Sequence, residues 1–131
     1  MPHIDVDSCI LLVIDAQDGF YPVHRSDVDQ QAKDAALERA GWVCGIASAL
    51  GVPIVVTEED AEHNGPTAPQ VARWLPAETP VRAKTVFGAL GNADIAGDVR
   101  ATGMSVVVVV GMETDVCVAH TAIDAVAAKL T

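Results

Sequence analysis

The sequence predicts an α/β protein built on a mostly parallel sheet with helices on both faces. Two short apolar runs, Cys9–Ile14 and Val106–Val110, have the continuous hydrophobicity of strands covered on both sides. Other segments place apolar residues three and four apart, the period of an amphipathic helix. The two patterns alternate along the chain.

The first strand stops at Asp15. After a polar turn around Asp18-Gly19 and Pro22, a helix is expected from about Asp29 to Leu50, with Ala36, Leu37, Ala40, Val43 and Ala47 on its apolar face. Gly51 and Pro53 mark its end, with glycine near the C-cap and proline just beyond. A second buried strand follows over Pro53–Thr57. From Glu58 to Pro80 the chain turns polar and proline-rich, which reads as a long surface loop with room for one helical turn, the kind of loop that often carries functional residues. Arg82–Phe87 is expected as a short third strand, Asp94–Thr102 as a helix ended by Gly103, and Ser105–Val110 as the strongest strand. Val116–Leu130 closes as a helix whose apolar positions are Val118, Ala122, Ala125, Val126 and Leu130.

At 131 residues, a single domain over residues 1–131 is the natural count, long enough to bury a sizeable core. No apolar run approaches the ~20 residues of a membrane helix, and the N-terminus lacks the basic-then-apolar pattern of a secretory signal. The expectation is a soluble, cytoplasmic protein. Eight basic against eighteen acidic residues give a net charge of −10, which disfavours nucleic acid and anionic membranes as partners. An anionic small molecule stays admissible, because one buried cation can override the global charge. Cys9, Cys44 and Cys117 are odd in number and show no metal-ligand spacing, so reduced thiols are expected.

In parallel α/β sheets, active sites lie beyond the carboxyl ends of the strands. That rule selects Asp15, Thr57–Glu59 and Gly111–Cys117. Asp15 either caps the following turn or serves as a general base. Cys117 sits near the first turn of the last helix, where free N–H groups and the helix dipole stabilise a thiolate; the alternative is a small buried hydrophobe. Cys9 and Cys44 read as packing residues. Lys84 on its own reads as a surface charge, yet beside a thiol and a carboxylate it would help hold both in charged form.

Leu11-Leu12-Val13-Ile14-Asp15-Ala16-Gln17-Asp18-Gly19-Phe20, Ala83-Lys84-Thr85-Val86-Phe87-Gly88-Ala89 and Val109-Val110-Gly111-Met112-Glu113-Thr114-Asp115-Val116-Cys117-Val118 resemble, in order, the three motifs of isochorismatase-like cysteine hydrolases. The resemblance runs from about Ile10 to the end of the chain. It implies a Rossmann-like three-layer sandwich, with Asp15 as base, Lys84 as cation and Cys117 as nucleophile. It also implies a non-proline cis peptide at Met112–Glu113, and an oxyanion hole made by the backbone N–H groups of Glu113 and Cys117. The implied reaction is acyl transfer from a small amide, ureide or N-carbamoyl compound.

Nicotinamidases of the same superfamily bind a metal through an Asp and two His after the second strand. The stretch Thr57–Thr67 has one His, His63, and no Asp-x-His pairing, so no metal and no cofactor is expected, as in the metal-free branch. The chain also looks shortened at its C-terminus relative to the family, lacking the last strands. That would leave the valine strand with an exposed apolar edge, and a homo-oligomer is expected on that ground. Phe20, Phe87 and Glu113 are candidates for contact with a small-molecule substrate; Trp74 and Tyr21 favour packing. Two other readings stay open: a vinyl ether hydrolase needing no covalent thioester, and a non-catalytic interaction module with a vestigial site.

Overall fold

The computed structural model describes residues 3–131, so Met1 and Pro2 of the expected domain lie outside the described residues. Four parallel strands form one sheet in the order β3-β2-β1-β4: β1 Cys9–Ile14, β2 Ile54–Glu59, β3 Val81–Lys84 and β4 Val106–Gly111. The α/β class and the parallel sheet agree with the expectation.

β1 is buried at every position because it is central and covered on both faces. Leu11 and Val13 point to one side, against Leu37, Ala40, Cys44 and Ala47 of α1 (Gln30–Ala49). These spacings of three and four put one stripe of α1 on the sheet. Asp29 caps α1 by accepting a hydrogen bond from the N–H of Ala32. Ala36, expected on the apolar face, is exposed. Ile10, Leu12 and Ile14 point to the other side and meet Ile95 and Val99 from the helix Ala93–Thr102. Burying a side chain of this size contributes about 1.5–3 kcal/mol, so the two faces of β1 anchor the fold.

The segment from Glu58 to Pro80 differs from the expected surface loop. It contains two short helices, α2 (Ala61–Asn64) and α3 (Pro69–Ala72), and it buries Thr67, Ala68 and Val71. The buried backbone finds partners: Thr67 donates from both N–H and hydroxyl to Glu58 Oε1, at 2.6 and 2.7 Å, and Ala68 N–H donates to Ala16 C=O at 2.7 Å. The indole of Trp74 lies over Gly41 and Gly45, where a β-carbon would come within 2.9 and 2.6 Å of it. Trp74 therefore packs on α1, as expected.

The helix Ala93–Thr102 is α4, with Gly103 at its left-handed C-cap. β3 is shorter than expected, ending at Lys84. β4 is an edge strand whose residues are all half-buried. The C-terminal helix begins with a π-helical turn, Thr114–Val118, in which the N–H of Val118 donates to Glu113 C=O at 3.1 Å. It continues as α5, Ala119–Ala127. The buried residues of α5 are Thr121 and Ala125, whereas Ala122 and Val126, placed on the apolar face from sequence, are exposed. Among the described residues, no helix is long and apolar enough to cross a membrane.

Candidate active site

The carboxyl ends of all four strands converge on one cluster. β1 delivers Asp15, β2 Glu59, β3 Lys84, and the turn after β4 delivers Cys117. Register sets this meeting, because Glu59 pairs directly with Lys84 while Ile14 pairs with Thr57 on one side and Gly111 on the other.

Asp15 has a φ of 46°, a left-handed conformation that aspartate tolerates better than most residues. The chain thereby leaves β1 sharply. The Asp15 N–H is held by Thr57 C=O at 3.1 Å and by Thr57 Oγ1 at 3.2 Å, and the Thr57 hydroxyl donates to Asp15 Oδ1 at 2.7 Å. Asp15 Oδ2 lies 2.6 Å from Lys84 Nζ in an ion pair with both side chains fully buried. The angles of that contact fall outside hydrogen-bond geometry, so Oδ2 retains an unclaimed acceptor position inside the protein.

Lys84 Nζ also lies 3.4 Å from Cys117 Sγ, donates to Val86 C=O at 2.9 Å, and lies 3.9 Å from Glu59 Oε2. Burial pulls the Lys84 pKa down, but the Asp15 carboxylate more than offsets this and the net shift is upward. The ammonium is therefore charged at neutral pH. Cys117 moves the other way. Burial, then the Asp15 carboxylate, push its thiol up to about 12 against the opposing pull of Lys84. The thiolate expected from the helix dipole is thus not the resting form: a desolvated sulfur beside a carboxylate keeps its proton. Cys117 Sγ donates to Glu59 Oε2 at 3.5 Å, and the Asp15 carboxylate lies within hydrogen-bonding reach of the same thiol.

Two residues of this cluster had little signal in the sequence. Glu59 stood in a segment marked only by strand-end geometry, and its place beside Cys117 depends on pairing between β2 and β3. Gln17 was unremarked. Its buried side-chain amide donates to Glu59 C=O at 3.1 Å and to Gly65 C=O at 2.6 Å, while its Oε1 accepts from Glu59 N–H at 2.8 Å. Gln17 thus clamps the Glu59 backbone on both sides. A glutamine two positions past a strand-end aspartate, inside the first motif, was the available hint.

The other expected residues lie around this cluster. The peptide Met112–Glu113 is cis. The Glu113 side chain turns to Tyr21, whose hydroxyl donates to it; burial and then this contact raise the Tyr21 pKa to about 12. Phe20 is half-buried, and Phe87 is 56% exposed with its ring 5.6 Å from that of His120. Cys44 is a buried core thiol pushed up to about 11 by desolvation, and Cys9 is buried at the start of β1.

Donor atoms of Asp15, Glu59 and Cys117 lie within 4.8 Å of one another, as a metal would require. The Lys84 ammonium stands among them, at 2.6, 3.9 and 3.4 Å, and is the cation these groups surround. A metal at the same point would meet a like charge. His63 lies apart, exposed, on Asp60 at 2.9 Å.

The Isochorismatase domain family matches residues 9–129 of the chain, which therefore belongs to the isochorismatase family. The "Probable hydrolase YcaC" of Escherichia coli strain K12 is 27% identical over 126 residues, 95% of this chain and 58% of that protein. A crystal structure of the E. coli YcaC product, described as an octameric hydrolase of unknown specificity, superposes with a TM-score of 0.81 at 24% identity, over 99% of this chain and 63% of that one. The MAR1 ribonuclease of Caenorhabditis elegans has a TM-score of 0.81 at 25% identity, again over 99% and 63%. YcaC from Pseudomonas aeruginosa, solved with hexane-2,5-diol and covalent acrylamide, has a TM-score of 0.80 at 26% identity, over 97% and 61%. The chain thus spans about 58–63% of the length of these relatives.

Proposed function

We propose that this chain is a cysteine hydrolase that cleaves the C–N bond of a small amide, ureide or N-carbamoyl compound. One observation carries the reading: Lys84 Nζ stands 2.6 Å from a buried carboxylate and 3.4 Å from a buried thiol, each brought from a different strand end. Burying an unpaired charge is costly, so a three-group cluster of this kind is held by pairing and suits proton transfer.

Asp15 Oδ2, with its unclaimed acceptor position, takes the Cys117 proton as substrate enters. Lys84 then stabilises the sulfur anion. The sulfur attacks the carbonyl carbon, and the oxyanion is met by the backbone N–H groups of Glu113 and Cys117. The C–N bond breaks as Asp15 returns the proton to the leaving nitrogen. Water, deprotonated by the same carboxylate, adds to the thioester and releases the acid and the thiol. The high thiol pKa fits a nucleophile generated only when the base is engaged.

YcaC of E. coli is described as octameric. A homo-oligomer is proposed here too, on that precedent. Light scattering giving a stable monomer would count against it. The ribonuclease name belongs to the C. elegans protein; a net charge of −10 weighs against RNA as the substrate of this one.

The test is a screen of small carboxamides, ureides and N-carbamoyl acids with wild type and Cys117→Ala. Turnover by wild type with loss of at least 10³-fold in the variant is expected. Undiminished turnover by Cys117→Ala would remove the nucleophile role and favour ether hydrolysis without a covalent intermediate.

A further inference from the structure

We infer that Glu59 is a specificity residue at the mouth of this site, selecting neutral or cationic N–H-bearing carbonyl compounds and rejecting anionic ones. The inference rests on Cys117 being the attacking group and narrows the substrate class proposed above.

Three members of the cluster are sealed: Asp15, Lys84 and Cys117 are 0%, 2% and 4% exposed. The Glu59 side chain is 24% exposed and touches both Cys117 Sγ, at 3.5 Å, and the solvent. A molecule that reaches the sulfur along the Glu59 side meets this carboxylate. Its backbone does not yield, because Gln17 holds both its N–H and its C=O, and Asn64 Nδ2 adds a second bond to that C=O at 2.9 Å.

The charge of Glu59 is only partly offset by its neighbours, since two carboxylates share one ammonium. Lys84 sits 2.6 Å from Asp15 but 3.9 Å from Glu59, so the single ammonium is spent on the deeper carboxylate. In the resting state Glu59 accepts the thiol proton. Once that proton leaves for Asp15, Glu59 faces a sulfur anion and loses its donor. A substrate that supplies an N–H beside its carbonyl, such as a carboxamide or ureido NH₂, restores the lost hydrogen bond at the moment of attack. A substrate carboxylate at the same place adds a third negative charge next to Glu59 and the sulfur, in a half-desolvated setting where repulsion is poorly screened.

Two alkylating reagents of nearly equal size, differing in charge, test this directly. Iodoacetamide and iodoacetate each form an S–C bond to the thiolate and release iodide, the thiol proton passing to solvent. Rates at Cys117, Cys9 and Cys44 are followed by peptide mass mapping in wild type, Glu59→Gln and Glu59→Ala. Removing Glu59 also alters the thiol pKa, but that changes both rates alike, so the amide-to-acid rate ratio isolates the filter. The wild-type ratio at Cys117 is expected to exceed that of both variants by at least tenfold, and the excess to shrink at high salt. Ratios equal within twofold would overturn the proposal, as would a Cys117 that neither reagent reaches until the protein is unfolded. Charge selectivity without any amide turnover would instead count against the hydrolase reading and leave the filter standing.

Discussion

The Thr57 hydroxyl donates to Asp15 Oδ1 at 2.7 Å while accepting from the N–H of the same residue at 3.2 Å, tying the end of β2 to the end of β1. This pair fixes which way the buried carboxylate faces. Thr57→Val keeps the shape but leaves one carboxylate oxygen and one N–H with weaker partners. A loss of about 1–3 kcal/mol in unfolding free energy is expected, measured by urea titration. A drop of at least tenfold in kcat/KM should accompany it. Thr57→Ser, which keeps the hydroxyl, should restore most of both; an activity loss as deep as that of valine would show that the hydroxyl is not what orients Asp15.

The Asp15–Lys84 ion pair should behave as a unit. Lys84→Met strands a buried carboxylate, and a loss of about 3–5 kcal/mol is expected. Asp15→Asn strands the ammonium with a similar result. The double variant removes both charges and should be less destabilised than the sum of the singles. A double-mutant cycle in denaturant measures that difference, and additivity would mean that the 2.6 Å contact carries no coupling.

Two glycines give opposite expectations. Gly111, at the turn out of β4, has a φ of 131°, and a β-carbon there would meet Ile14 C=O at 1.9 Å. Gly111→Ala must push β4 from β1 at the base of the site, and a loss above about 3 kcal/mol, or insoluble protein, is expected. Gly97 lies within α4 with nothing near its β position and no positive φ. Gly97→Ala should gain about 0.5–1 kcal/mol from helix propensity alone. Thermal melts of the two variants side by side check both.

The sequence revealed most where one residue type carries its own geometry. Cys9–Ile14 had to be a doubly covered strand because no face of it could meet water, and α1 followed from its spacing and from Gly51 and Pro53 at its end. Lys84 was different: an isolated lysine reads as surface, and only resemblance placed it in the site. Glu59, Gln17 and Thr57 owe their positions to β-strand register, which brings residues 40 or more positions apart into contact and leaves no local pattern. The segment after β2 was misread for a related reason. Much of it is solvated, Asp60, Glu62 and His63 included, but Glu58 binds Thr67 and so makes one stretch of its backbone buriable. On α5, small and branched apolar residues lie on more than one face, so periodicity could not say that Thr121 and Ala125 point inward while Val126 points out.

Alkaline pH should reveal the held protons. Cys117 and Tyr21 are raised to about 12 and Cys44 to about 11, and Lys84 is raised as well. Each group binds its proton more tightly when folded than when unfolded, where a cysteine titrates near about 8.5 and a tyrosine near about 10. Below about pH 8 both states are protonated and the stabilisation is complete. As pH rises past the unfolded values, the unfolded chain sheds protons first and stability falls. The urea midpoint of wild type should therefore decline from about pH 8 to 11, and Cys117→Ser, which has no thiol to titrate there, should decline less steeply. Iodoacetamide labelling of Cys117 should climb roughly tenfold per pH unit across the same range, because the thiolate fraction stays far below one half. A labelling rate that levels off near pH 8, together with equal stability slopes for the two proteins, would show that burial and Asp15 do not hold the proton on this sulfur.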